Sequence, residues 1–408
     1  MAVTTAGALP VFLTGALSVQ MRASLTFDEA ALGMAVAAFF AAAAACSALS
    51  GHLAERFGPG VMSWATVASA AALIAIGAGV RSWPELVGAL VLAGIGNGTV
   101  QPAANVLLAR SVDPDHQGWA FGVKQAAIPT ATLLGGLAVP AVALTVGWRF
   151  AFIAAGCLAL VVGWLVPHPG SVSGGFAAPD GAPLGAKPRG RRTVPASSGL
   201  HAGGGAAGRV RVLPLVVFAF ALALGAGAAN ALGTFVVPAA VNAGVSRGQA
   251  GLLSALGSVA GLSVRLLSGR QADRRGHRHL PVVALMMVGG AVGYGLLATG
   301  ASWLLIPGVV ISFGAGWGWA GLFNFAIVRT HPGAPGRATG ITQTGAYTGG
   351  LVGPLGFGLL AQHVSYQAAW TAAGAAGLLA AAGIVAGRHL LIRARTGSAE
   401  SNGSAESR

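Results

Sequence analysis

Twelve apolar runs follow one another along this 408-residue chain, and no other feature narrows its fold as much. A helix rises 1.5 Å per residue, so a run of roughly 20 residues crosses the hydrocarbon core of a bilayer. The spans read as 3–22, 31–50, 61–80, 86–109, 119–145, 148–166, 213–241, 249–268, 280–300, 303–328, 338–362 and 366–391. They are continuously apolar and do not alternate with period two, which selects helices over barrel strands. With 54% hydrophobic residues and 65 glycines, the chain reads as an all-α polytopic membrane protein.

Charge placement sets an expected orientation. The net charge of +14 would suggest nucleic acid in a soluble protein, but no basic stretch is interleaved with aromatics for stacking. With the amino terminus inside, 18 of the 24 Lys and Arg fall on the cytoplasmic side. Arg22, Arg81, Arg149 and Arg247 lie outside, and Lys124 and Arg265 lie within spans. That bias predicts both termini in the cytoplasm of a cell with the chain in its inner membrane. The first run lacks the basic n-region of a signal peptide and reads as a retained first span. Cys46 and Cys157 lie inside spans without metal-ligand spacing, so no metal site or disulfide framework is expected.

The spans divide six and six. Residues 168–212 hold no apolar run, and 16 of these 45 residues are Gly or Pro, the composition of a flexible linker. Its basic residues suit the cytoplasmic side and anionic headgroups. The organisation reads as a bundle over 1–167, a basic linker over 168–212, a second bundle over 213–391 and a disordered tail over 392–408. An offset of 218 aligns Gly33 with Gly251, Gly51 with Gly269, Arg56 with Arg274, Gly58 with Gly276, Gly122 with Gly340 and Gln125 with Gln343. Repeated halves are how many transporters build a midplane site between two moving bodies.

Both halves carry a charged turn between their second and third spans, "GHLAERFG" from Gly51 and "GRQADRRGHR" from Gly269. The shared pattern G-x-x-x-[DE]-R-x-G resembles the cytoplasmic loop motif of the major facilitator superfamily, and two copies in register extend the resemblance over residues 3–391. It implies two six-helix bundles related by a pseudo-two-fold axis, rocking around a central cavity. It also implies a cytoplasmic gate in which the loop acid meets a helix start in the opposite half, where the helix dipole favours negative charge. Carried onto this chain, Glu55 approaches the region of Ala338 and Asp273 that of Trp119, with Arg56, Arg274, Arg110 and Arg329 as cationic neighbours. The first copy departs from the pattern, with Glu for the usual Asp and "PG" in place of the basic pair.

In that superfamily the first, fourth, seventh and tenth spans of the chain line the cavity. Polar residues inside a span are costly unless they face a cavity or one another. Span 4 places Asn97, Gln101 and Asn105 on one helical face, span 7 offers Asn230 and Thr234, and span 1 offers Gln20. Span 10 carries Trp317, Trp319 and Asn324 in "GWGWAGLFNF". None of the ten acids lies deep in a span, whereas Lys124 does, and a buried cation suits an anionic solute. Snorkelling of Lys124 is the plain alternative. For Arg265, only four residues from the loop, snorkelling or packing at the gate is the favoured reading.

The sequence therefore reads as a secondary transporter of a small organic solute of anionic character, with a coupling proton or ion, able to work as a monomer. The Lys-Gln pair of span 5 is similar to that of small-anion permeases of the cyanate type. A proton-coupled multidrug antiporter is the near alternative, although the Gly-Pro motif such proteins carry in span 5 occurs here in span 11, as "GGLVGPLGFG". A transporter-like receptor or sensor is the alternative from another class. No P-loop or nucleophile constellation is present, so neither a cofactor nor an enzyme activity is expected.

Overall fold

The computed structural model describes residues 1–57, 60–112, 116–166, 212–274, 279–331 and 335–406. Side chains at 48–57, 102, 105–107, 109–111, 117, 273–274, 335–337 and 394–406 lie outside the description. The first half comprises α1 (Ala2–Leu25), α2 (Glu29–Phe57), α3 (Gly60–Ala78), α4 (Trp83–Ser111), α5 (Gln117–Gln125), α6 (Ala127–Ala138) and α7 (Trp148–Leu165). The second comprises α8 (Val212–Asn242), α9 (Arg247–Arg274), α10 (His279–Ala298), α11 (Leu305–Ile311), α12 (Ala320–Thr330), α13 (Pro335–His363) and α14 (Tyr366–Glu406). Among the described residues, 10 helical stretches are long and apolar enough to cross a membrane, and the chain is a multi-pass membrane protein.

Two spans are not the single helices their sequences suggest. The fifth breaks at Ala126 and ends in a π-turn over Val139–Ala143, because Pro129 and Pro140 each remove a backbone donor. The tenth passes through α11, a π-turn over Ser312–Gly316 and then α12, where four glycines between Gly308 and Gly318 weaken the helix. The last helix runs on to Glu406, past residue 392 where the expected tail begins.

The face at which α1 starts is called here the terminal face, and the opposite one the distal face. Distal turns are short. Gly244 and Gly300 turn the chain there with φ of 87° and 71°, values open to glycine and strained for other residues.

The halves repeat the same pairings. In the first, α1 packs on α6, α2 on α4 and α3 on α7; in the second, α8 packs on α13, α9 on the π-turn and α12, and α10 on α14. The halves meet along α2/α13, α5–α6/α9 and α1/α8. Small residues permit this approach, since lipid supplies no hydrophobic drive between helices and close packing must do so. A methyl group at Gly136 would come within 2.6 Å of the Gly251 carbonyl, one at Gly33 within 2.5 Å of the Pro354 carbonyl, and one at Gly15 within 2.8 Å of the Thr234 backbone.

Candidate solute site between the halves

Arg265 anchors the interface. Its side chain is 1% exposed, deep between α5, α9 and the broken tenth span. Its guanidinium donates to the Trp317 carbonyl, through Nη2 at 2.8 Å and Nε at 3.3 Å, and through Nη1 to the Gln125 carbonyl across the interface. Both acceptors come from interrupted helix. Pro129 has no N–H to offer the Gln125 oxygen four residues back, and Trp317 sits where the π-turn gives way to α12. Arg265 satisfies carbonyls that would otherwise be orphaned, a role sequence spacing alone did not reveal. The pattern Q-x-x-x-P opposite an intramembrane arginine was the available signal. The side chain, read from the sequence as snorkelling or packing at the gate, turns inward to these carbonyls.

Lys124, next to Gln125 at the end of α5, is buried at 5% exposure. Further along the same interface, Thr132 of α6 and Ser258 of α9 share a hydrogen bond of 2.8 Å between their hydroxyls. Trp317 crosses at the centre. Its ring lies edge-on to Phe12 of α1 at 5.3 Å, against Phe313 at 5.6 Å, and beside Gly233 of α8.

The remaining sequence-selected residues are dispersed. Asn97 of α4 is buried against Gly7 of α1, and its Oδ1 has no hydrogen-bond partner. Gln101 is half-buried, and the Asn105 side chain lies outside the described residues. Gln20 is buried with both amide atoms unpartnered. Asn230 and Thr234 bond back to their own helix, Nδ2 to the Ala226 carbonyl at 2.8 Å and Oγ1 to the Asn230 carbonyl at 2.9 Å. Trp319 points into the second half, donating to the Gly316 carbonyl at 2.8 Å and packing on Phe323. Asn324 is half-buried on α12.

Of the loop residues, Gly51 lies on α2, whereas Gly58 and Gly276 and the side chains of Glu55, Arg56, Arg110, Asp273 and Arg274 lie outside the described residues. Gly269 faces Gly122, where a methyl on either would lie 3.2 Å from the other's Cα. Arg270 stacks its guanidinium 4.5 Å over the Trp119 ring at the start of α5, and Arg329 is exposed over Phe325. Among the described residues no acid is buried, and no group of three or more His, Cys, Asp or Glu is gathered as metal ligands would be.

The sequence matches the family model described as Major Facilitator Superfamily twice, over residues 2–238 and 217–407. The chain belongs to the Major Facilitator Superfamily. No curated protein matches it in sequence. Its fold is similar to that of a D-xylose–proton symporter, with TM-score 0.66 and 17% identity over 94% of this chain and 95% of that one. A proton:xylose symporter bound to 6-bromo-6-deoxy-D-glucose gives 0.65 and 17%, covering 93% of each chain. A bacterial homolog of the human lysosomal transporter Spinster, inward-facing and unoccupied, gives 0.63 and 15%, covering 95% of this chain and 94% of that one. As a superfamily member the protein is a secondary transporter and not an enzyme. In a fold of this kind a solute passes between the two halves, and Arg265, Lys124 and Trp317 are side chains buried where those halves meet.

Proposed function

We propose that this superfamily member carries a small organic anion across the cytoplasmic membrane by alternating access, with both termini in the cytoplasm. The observation behind the reading is a pair of buried cations, Lys124 and Arg265, on facing helices of opposite halves, in a protein whose described residues bury no acid. Backbone carbonyls satisfy the geometry of a guanidinium but leave its charge in place, so a solute carboxylate gains more there than a neutral solute does. The orientation is supported by the sequence count, which with the amino terminus inside assigns 18 of the 24 basic residues to the cytoplasmic side. The structural neighbours include sugar symporters, and a neutral sugar has less to gain from this charge.

The aromatic cluster of Phe12, Phe313 and Trp317 favours a second reading, export of a lipophilic cation. Thermal shift of the purified protein separates the two, with acetate, oxalate and succinate set against tetraphenylphosphonium and xylose. A ligand at a hundred times its dissociation constant stabilises by about 2.7 kcal/mol. Stabilisation by an anion, lost in Lys124→Ala, supports the proposal; stabilisation by tetraphenylphosphonium in both proteins replaces it with drug export.

A further inference from the structure

The distal face carries a further polar connection between the halves, and the geometry points to it as the distal gate: a latch in which Glu29 of the first half is held by Tyr366 and Gln362 of the second. The Tyr366 hydroxyl donates to Glu29 Oε1 at 3.0 Å, and the Glu29 backbone N–H donates to Gln362 Oε1 at 3.3 Å. Arg22, at the end of α1, forms an ion pair with the same Glu29 oxygen. The Glu29 carboxylate thus joins the ends of α1, α2 and α14, and its backbone N–H adds α13.

Local structure frees Glu29 for this role. Asp28, not Glu29, caps α2, accepting from the Ala31 N–H at 2.8 Å. Thr26 turns the chain with φ of 45°, an unfavourable value for a β-branched residue, and so brings Arg22 back over Phe27 and beside Glu29. Gly358 of α13 admits α2 closely, since a methyl there would come within 2.5 Å of the Glu29 carbonyl.

The internal repeat separates scaffold from latch. Under the offset of 218, the cap Asp28 aligns with Ser246, which caps α9 through the Gln249 N–H at 3.4 Å. All four latch positions break the repeat: Arg22 aligns with Ala240, Glu29 with Arg247, Gln362 with Leu144 and Tyr366 with Trp148. The fold therefore does not need these side chains, yet where the halves differ the four residues are bonded to one another. The charge-assisted Tyr366–Glu29 bond and the Gln362 bond to the Glu29 N–H are short-ranged and break together when the halves part, which gives the distal face a discrete closed state. The Arg22 ion pair stays within the first half and holds the carboxylate in place.

The latch rests on alternating access but not on the charge of the solute. Its test is the rate at which Ser18→Cys is modified by a membrane-impermeant maleimide, in a protein with Cys46 and Cys157 replaced by Ser and with no solute added. Ser18 is fully buried on α1, one turn beyond Gly15, so its labelling rate follows the open fraction. Tyr366→Phe and Glu29→Gln should each raise that rate by roughly tenfold, the weight of one hydrogen bond to a charged group. Exposed Ser302→Cys should label equally in all variants. Unchanged Ser18→Cys rates overturn the latch, as does Tyr366→Phe lowering the melting temperature without changing the rate, the mark of a mere brace. Anion binding measured by thermal shift is a separate readout and stands or falls independently.

Discussion

The Arg265 guanidinium on α9 reaches the Gln125 main-chain carbonyl on α5, tying one half of the transporter to the other through an oxygen that Pro129 leaves without a helical donor. A proline in one half and an arginine in the other thus form a single structural unit. Arg265→Ala should destabilise the protein by about 2–4 kcal/mol, because two buried carbonyls lose their partner. Pro129→Ala restores a helical donor to Gln125, so the double variant should recover about 1 kcal/mol of that loss. Thermal unfolding in detergent of the four proteins of this cycle measures both numbers.

The Thr132–Ser258 hydroxyl pair is a smaller link along the same helices. A double-mutant cycle with Thr132→Val and Ser258→Ala should give a coupling energy of about 0.5–1 kcal/mol, in the range of interhelical hydrogen bonds in membranes. A coupling near zero would mean that the halves do not close on this pair.

Glycine contacts along α6 and α9 make an uneven prediction. A methyl at Gly136 meets backbone at 2.6 Å, whereas one at Gly88 of α4 meets nothing within 4 Å. Gly136→Ala should cost about 1–3 kcal/mol by overpacking, while Gly88→Ala should be neutral or slightly stabilising through helix propensity. Melting temperatures of the two variants decide it.

The two tryptophans of the tenth span should separate by role. Trp317 crosses between halves to Phe12, while Trp319 is buried within the second half. Trp317→Leu forfeits an edge-to-face contact of about 0.5–1.5 kcal/mol and should alter solute affinity. Trp319→Leu should lower stability alone, with affinity unchanged in the same titrations.

Much of the architecture was legible in the sequence because a bilayer accepts few solutions. Continuous apolar length, a Gly- and Pro-rich joint and one repeat offset suffice to give two six-span halves, and the paired loop motif points to the superfamily. The site was less legible. Lys124 could be selected as a charge inside an apolar run, but Arg265 stood near a loop and read as a residue that snorkels or packs at the gate. Its acceptors are backbone oxygens of distant helices, which no side-chain pattern displays. Asn230 and Thr234, chosen for polarity, spend their hydrogen bonds on their own helix, a local alternative that spacing cannot distinguish from a cavity-facing stripe. Glu29 and Tyr366 lie 337 residues apart, and only the fold brings them together.

The most direct test of anion transport is counterflow into proteoliposomes, with labelled oxalate, labelled xylose and labelled tetraphenylphosphonium compared in wild type, Lys124→Gln and Arg265→Gln. The account predicts uptake of the anion in the wild type, reduced at least tenfold in both variants, and no counterflow of the other two solutes. Counterflow of xylose or tetraphenylphosphonium that persists when Lys124 and Arg265 are neutralised would contradict it.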